Sequence, residues 1–446
     1  FKYNASIGSN PTTAALSAQL QAFGGVPAGV TTTNRGAAGT VYIENTAVHA
    51  ANDGVVYVDN NTSSNTLQFT EMSGSVGDLY VENAASLLLT TLGVNRDFSL
   101  TGSSYVTHSE ATTSSVFRIN LTVGGTTTIE SGSSINLDGK GFPLGYTSNG
   151  LGGVTAQTGV SGNCGGSHGG QGGCALTTSV HTPPYDSIFE PADPGAGAHL
   201  NSTGTAGGGY VKLTTNHLTL AGTISANSIA SAASTGAGGG IWIIATGNIN
   251  VTGTVRANGG GSVNTSHGAG SGGRVAFRYN ATIGSNPTVT ALSGQLQAFG
   301  GVPAASNTTN RGSAGTVYIE NTAAHTANDG VVYIDNNTSS NTLQFTELSG
   351  TVGDLFIENA ASVLVTTLSV TRDLTMTGSS LLTHDTTTTS TVYRVDVTVG
   401  DETNIASGSS INVDSKGFPL GYTTNGAGGV TAQTGVSGNC GGAYGG

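Results

Sequence analysis

Two stretches of alternating apolar and polar residues set the pattern of this chain. They read GGYVKLTTNHLTLAGTISAN (208–227) and GGIWIIATGNINVTGTVRAN (239–258), joined by a Gly/Ala/Ser spacer. At an offset of 31 residues Tyr210 aligns with Ile241, Leu213 with Ile244, Leu218 with Ile249, Leu220 with Val251, Gly222 with Gly253, Ile224 with Val255 and Asn227 with Asn258. A period of two predicts strands, and so short a unit cannot shelter its apolar side alone, so it must stack on its neighbour. The same pattern runs through VVYVDN, TLQFTE, DLYVEN, SLLLTTL and FSLTG between residues 55 and 102. There Val76, Leu79, Val81, Leu87, Leu89, Leu92, Val94, Phe98 and Leu100 are the expected inward residues. VFRINLTV (116–123) and TTIESGSSINLDGKG (127–141) repeat the phrase. Strands are also expected at Phe1–Tyr3, Leu20–Phe23 and Thr40–Glu44, with turns at Pro11 and Pro287.

A longer repeat lies over the short one. Phe1–Gly170 aligns without a gap to Phe277–Gly446, and roughly three quarters of these positions are identical. The expected organisation is a β-stack over 1–138, a Gly/Pro-rich insertion over 139–207, a second stretch of stack over 208–276, its copy over 277–414, and the start of a second insertion over 415–446. The chain begins inside an apparent strand without Met, as expected of a window cut from a longer tandem array. A two-copy protein ending here is the alternative.

The fold class expected is all-β: a parallel β-helix, or β-solenoid, of tandem repeats carrying a long insertion. A β-propeller is the main rival, disfavoured by irregular spacing and the lack of a blade-closing motif; β-sandwich arrays are the other. Composition agrees with turn-rich β-structure. Glycine supplies 71 of 446 residues and only 9% are charged, whereas disordered chains are charged and poor in β-branched residues. The net charge of −12, with no basic cluster, argues against nucleic acid as a partner. No apolar run is long enough to span a membrane as a helix.

Candidate chemistry is sparse. Cys164 and Cys174 lie in the glycine-rich insertion, and Cys440 is the copy of Cys164. A Cys164–Cys174 disulfide would close a short loop and imply an oxidising compartment. Free thiols, or a metal pair with His168, are the alternatives, although one His between two Cys lacks the four-ligand spacing of a zinc site. N-glycosylation sequons stand at Asn4, Asn60, Asn61, Asn120, Asn201, Asn250, Asn264, Asn280, Asn307, Asn336 and Asn337. Asn120 and Asn250 fall between apolar neighbours, so they should face outward if those neighbours face in. The Thr-rich run 386–391 is a candidate for O-glycans. Asp186, Glu190 and Asp193 form the densest acidic group, and Asp138 with Lys140 is a second candidate. Catalysis or a Ca²⁺ site there competes with plain solvation of a loop, and no cofactor is expected. The unique Trp242 is read as stacking or core rather than as a sugar platform.

The strings GNCGGSHGGQGGC, PPYDSIFEPADPGAGA, GGGYVKL…GTISAN and GGGIWII…GTVRANGG resemble very large secreted or cell-surface glycine-rich repeat proteins of protists and bacteria, over about half of the 276-residue period. That resemblance implies an extracellular structural or adhesive role and brings no catalytic residues with it. The function expected is a structural, non-enzymatic subunit of a glycosylated extracellular fibre that self-associates along an axis. An adhesin or carbohydrate-binding protein using the 139–207 insertion is the alternative, and a polysaccharide-degrading β-helix enzyme comes third.

Overall fold

The computed structural model describes residues 1–4, 6, 10–25, 35–61, 68–158, 162–175, 180–199, 203–303, 310–338, 344–433 and 442. The first period and its continuation carry β1 (Lys2–Tyr3), β2 (Val41–Asn45), β3 (Val55–Asp59), β4 (Thr70–Val76), β5 (Asp78–Glu82), β6 (Ser86–Val94), β7 (Phe98–Leu100), β8 (Tyr105–Thr107), β9 (Ile119–Ile129) and β10 (Ser134–Asn136). A hairpin, β11 (Tyr146–Ser148) and β12 (Val154–Ala156), precedes β13 (Tyr210–Leu220), β14 (Thr223–Ser225), β15 (Gly240–Ala245), β16 (Ile249–Val251) and β17 (Thr254–Arg256). The second period holds β18 (Arg274–Tyr279), β19 (Leu296–Gln297), β20 (Thr316–Asn321), β21 (Val331–Asp335), β22 (Thr346–Val352), β23 (Asp354–Glu358), β24 (Ser362–Val370), β25 (Leu374–Met376), β26 (Leu381–Thr383), β27 (Asp396–Val399), β28 (Thr403–Ile405) and β29 (Ser410–Ile411). Two five-residue helices, α1 (Thr13–Ser17) and α2 (Val289–Ser293), are N-capped by the hydroxyls of Thr12 and Thr288. The protein is thus nearly all β, as the alternation predicts, and its strand pairings are mostly parallel.

Strands pair with the strands that follow them one short repeat later. β9 pairs in parallel with β13, β13 with β15 and β16, β15 with β18, and β18 with β20. All nine residues expected to point inward between Val76 and Leu100 are buried. The 31-residue offset holds for Leu218↔Ile249 and Ile224↔Val255. It fails by one residue earlier, where Tyr210 pairs with Gly240 and Leu213 with Ile243. β13 runs unbroken through Asn216 and His217, whereas its partner divides into β15 and β16 around Gly247. The extra residue is taken up at that break. A one-residue slip exchanges the two faces of a strand, so the correction changes which side chains are neighbours. Leu20–Phe23 forms no strand; its copy includes the two-residue β19, and the segments just before both are the short helices.

Apart from the β11–β12 hairpin and its copy over 422–432, the strand pairing among the described residues is antiparallel at two equivalent places, β2 with β3 and β20 with β21. At the second, the sheet has apolar residues on both sides. Val275, Phe277, Val317 and Ile319 belong to one buried cluster with the first period's core. Ala276, Tyr318, Val332, Leu355 and Leu374 belong to a second cluster with the rest of the second period. The core therefore changes sides of the sheet where strand direction reverses.

Glycine-rich segments, from the 139–207 insertion and from the stack that follows it, lie inside. Residues 164–174 are buried throughout. Extended stretches around Gly195, Gly208, Gly238 and Gly272 exchange backbone hydrogen bonds: Gly195 N–H to Gly208 O, Gly208 N–H to Ala237 O, Gly238 N–H to Ser271 O and Gly272 N–H to Ser313 O. The loop between the cysteines joins this bundle through Gly166 N–H to Thr235 O and Gly169 N–H to Gly272 O. The Cys164–Cys174 disulfide closes it, a stabilisation of about 2–3 kcal/mol in the loop-entropy model. At its tip Gln171 donates its N–H to Phe345 O and its side chain to Glu347, ties that reach the second period. The segments approach so closely that a Cβ on Gly208 would stand 1.8 Å from Ala226 O.

Close approach of this kind predicts a sharp contrast. Gly208→Ala should lower stability by roughly 3 kcal/mol or more, because backbone must move. Gly417→Ala, where an added Cβ meets nothing within 4 Å, should stay within about 0.5 kcal/mol of the parent. Denaturant midpoints of the two variants check this.

Candidate functional site

The outward side of the β9–β13–β15 ladder carries Asn120, Lys212 and Trp242 in register. A chain segment, residues 185–194, crosses over this side as a strap. Three arginines on the sheet or beside it hold the strap. Arg118 donates from Nε to Ala192 O at 2.8 Å and from Nη2 to Asp193 Oδ1 at 2.5 Å. Arg274 donates from Nε to Tyr185 O at 2.8 Å. Arg278 pairs with Glu190 at 3.6 Å. Phe189 meets Tyr318 edge-on with centroids 5.0 Å apart, and the Tyr185 hydroxyl donates to Pro194 O at 2.6 Å. The β11–β12 hairpin forms the opposite rim; Ser148 donates to Asp193 Oδ2 and Arg118 to Gly152 O.

Between strap, hairpin and sheet lies an open cavity of about 480 Å³. Arg118, Asn120, Tyr185, Tyr210, Lys212 and Trp242 face it. The Lys212 ammonium sits 3.7 Å from the centre of the Trp242 ring, a cation–π contact. It has no hydrogen-bond or ion-pair partner among the described residues. The Trp242 ring also packs against the second core, which agrees with the stacking role expected of it, and its buried Nε1–H finds no acceptor among the described residues. The Tyr210 hydroxyl is likewise without a partner there, and burial raises its pKa far above the usual phenol value, so it remains a donor.

The acidic residues expected as catalytic or Ca²⁺-binding candidates are brought to the strap and engaged there. Asp193 is taken by Arg118 and Ser148, and Glu190 by Arg278. Asp186 accepts from the N–H groups of Ser187, Ala192 and Asp193 and from His168 Nε2. Burial alone would raise the Asp186 carboxyl; the His168 hydrogen bond and charge, the Asp193 N–H and Arg274 outweigh it and hold it below the ordinary 3.8. No group of three or more His, Cys, Asp or Glu among the described residues is arranged to hold a metal. His168, weighed as a metal partner of the cysteines, instead stacks on Tyr185 and bonds Gly238 O through Nδ1. Asp138 accepts from Asn227 N–H, beginning a ladder in which Asn227 accepts from Asn258 N–H, and Lys140 pairs with Glu110.

The sequons divide by exposure. Asn61, Asn120, Asn250, Asn264 and Asn337 are exposed; Asn120 faces away from buried Ile119 and Leu121, and Asn250 from buried Ile249 and half-buried Val251. Asn4 and Asn280 are half-buried. Asn60 and Asn336 are each 3% exposed, which leaves no room for a glycan on those two. Asn201, Asn307 and Cys440 lie outside the described residues.

Sequence reasoning missed Arg118, Tyr210 and Lys212. The signal was present in the spacing: an offset of 30 places Lys212 beside Trp242, whereas 31 places it beside Ile243. It also missed His108, which fixes the start of β13. Nε2 of His108 accepts from Tyr210 N–H at 3.1 Å, and Nδ1 donates to Ser109 O at 2.7 Å. Burial pushes its pKa down from 6.5 to about 4, against the raising effect of the Ser109 bond and with smaller help from Lys140 and Arg118.

The sign of the resulting pH dependence follows from proton uptake. Between pH 6.5 and 4 the unfolded chain protonates this histidine and the folded one does not, so its contribution is complete above pH 6.5 and lost as pH falls to 4. The loss should amount to about 3 kcal/mol. His108→Gln, which can keep both bonds without titrating, should flatten the fall in denaturant midpoint over that window. No family model, curated protein or solved structure matches this chain.

Proposed function

We propose that the chain is a structural segment of an extracellular fibre, built from stacked β-solenoid units with glycans on the outer side. The observation that carries this reading is the unbroken ladder β15–β18–β20 across residue 276, with Phe277 fully buried in the first period's core. The first period is joined to the second by sheet, not by a linker, so load would pass between them through backbone hydrogen bonds.

The antiparallel steps fit the same reading. In a chain that coils with one hand around its core, the strand direction on a face is tied to the side on which the core lies. When the core changes sides while the stack advances, constant hand requires the strand direction to reverse. β20 and β21 make both changes together. Successive solenoid units would then advance in one direction while stepping sideways at each seam, rather than continue on one axis. The closed disulfide supports an extracellular location, and the exposed Asn61, Asn250, Asn264 and Asn337, which lie away from the cavity, support glycosylation. Adhesion through the insertion is the second reading, favoured by the cavity under the strap.

From β2 to its copy β20 the ladder makes eight strand-to-strand steps, roughly 40 Å at about 4.8 Å each. Proteins carrying two, three and four periods should lengthen by that amount per period in solution scattering or electron microscopy. A radius of gyration that grows only as the cube root of mass would overturn the proposal.

A further inference from the structure

We infer that the cavity between the strap and the β9–β13–β15 ladder binds an acidic saccharide, a sugar unit bearing carboxylate or sulfate, with Lys212 as its counter-charge. The inference does not rest on the fibre reading. It comes from an imbalance of donors and acceptors. Every carboxylate at the cavity is engaged: Asp193 by Arg118 and Ser148, Asp186 by three N–H groups and His168. The groups left without partners among the described residues are the Lys212 ammonium, the Tyr210 hydroxyl and the buried Trp242 Nε1–H, joined by the exposed side chain of Asn120. Lys212 is half-buried, and its ammonium rests against the Trp242 ring with no anion beside it among the described residues. An incoming anion completes the pair.

The walls narrow the anion to a sugar. Tyr185 and Trp242 supply partly exposed aromatic surface, while the neighbouring donors suit hydroxyl and ring oxygens. The volume of about 480 Å³ falls within the roughly 300–1,000 Å³ of small-ligand sites. It is open to solvent, which gives a saccharide access. Inorganic phosphate or sulfate alone would use the ammonium and leave the aromatic walls empty.

The test is calorimetric titration of the intact chain with tetragalacturonate, a heparin-derived tetrasaccharide, a neutral maltotetraose and inorganic sulfate. Binding of one or both acidic oligosaccharides is expected, at least tenfold tighter than maltotetraose or sulfate, and the two acidic probes separate carboxylate from sulfate recognition. Lys212→Gln should weaken that binding at least tenfold, and Tyr210→Phe, which keeps the ring, by a smaller factor. Lys140→Gln removes the same charge outside the cavity and should change affinity less than twofold. Melting curves matching the parent establish that each variant is folded. No binding of either acidic probe, equal binding of maltotetraose, or acidic binding indifferent to Lys212→Gln would each refute the inference.

Discussion

The structure depends on backbone meeting backbone with nothing between. In the interior around Gly208, Gly238 and Gly272, extended segments bond to one another at distances that exclude even a methyl group. A hydrophobic core gains from the side chains it buries. Here the gain comes from paired peptide groups in a space made by omitting side chains, and the usual entropic cost of ordering glycine is offset by the density of hydrogen bonds. The arrangement explains how a chain with only 36% hydrophobic residues has so large an interior. Apolar β-layers form one part of it and glycine segments another.

The two parts were unequally legible in sequence. Alternation at Val76–Leu100 and at 210–225 marks strands whose inward residues are buried as expected, because a period of two leaves no choice of face once one residue is placed. The glycine bundle has no period to read. Gly165–Gly173 resembles a linker by composition, and only its neighbours in space show that each missing Cβ is required. The candidate site was half-legible for a related reason. Asp186, Asp193 and Trp242 stand out as residue types, but Lys212 and Tyr210 matter through register, and the register shifts by one at the break beside Gly247.

The strap shows how charge is spent in a chain that has little. Only 13 Lys and Arg occur in 446 residues, and Arg118, Arg274 and Arg278 all hold one ten-residue segment. Arg96 and its copy Arg372 each bridge two aspartates, Asp53 with Asp78 and Asp329 with Asp354. Against that economy Lys212 stands out, a cation on the sheet face whose company among the described residues is an aromatic ring, as Phe345 is for Lys416.

The loop closed by Cys164 and Cys174 has a bearing on how such a chain can change over generations. Its tip, at Gln171, belongs to one period in sequence and contacts Phe345 and Glu347 of the next. A cut at residue 276 therefore separates the two members of this contact. Unequal crossing-over by whole multiples of 276 residues restores each such pair whatever the point of exchange, while any fractional shift breaks them. The length of the period is then held in place by contacts that reach across it.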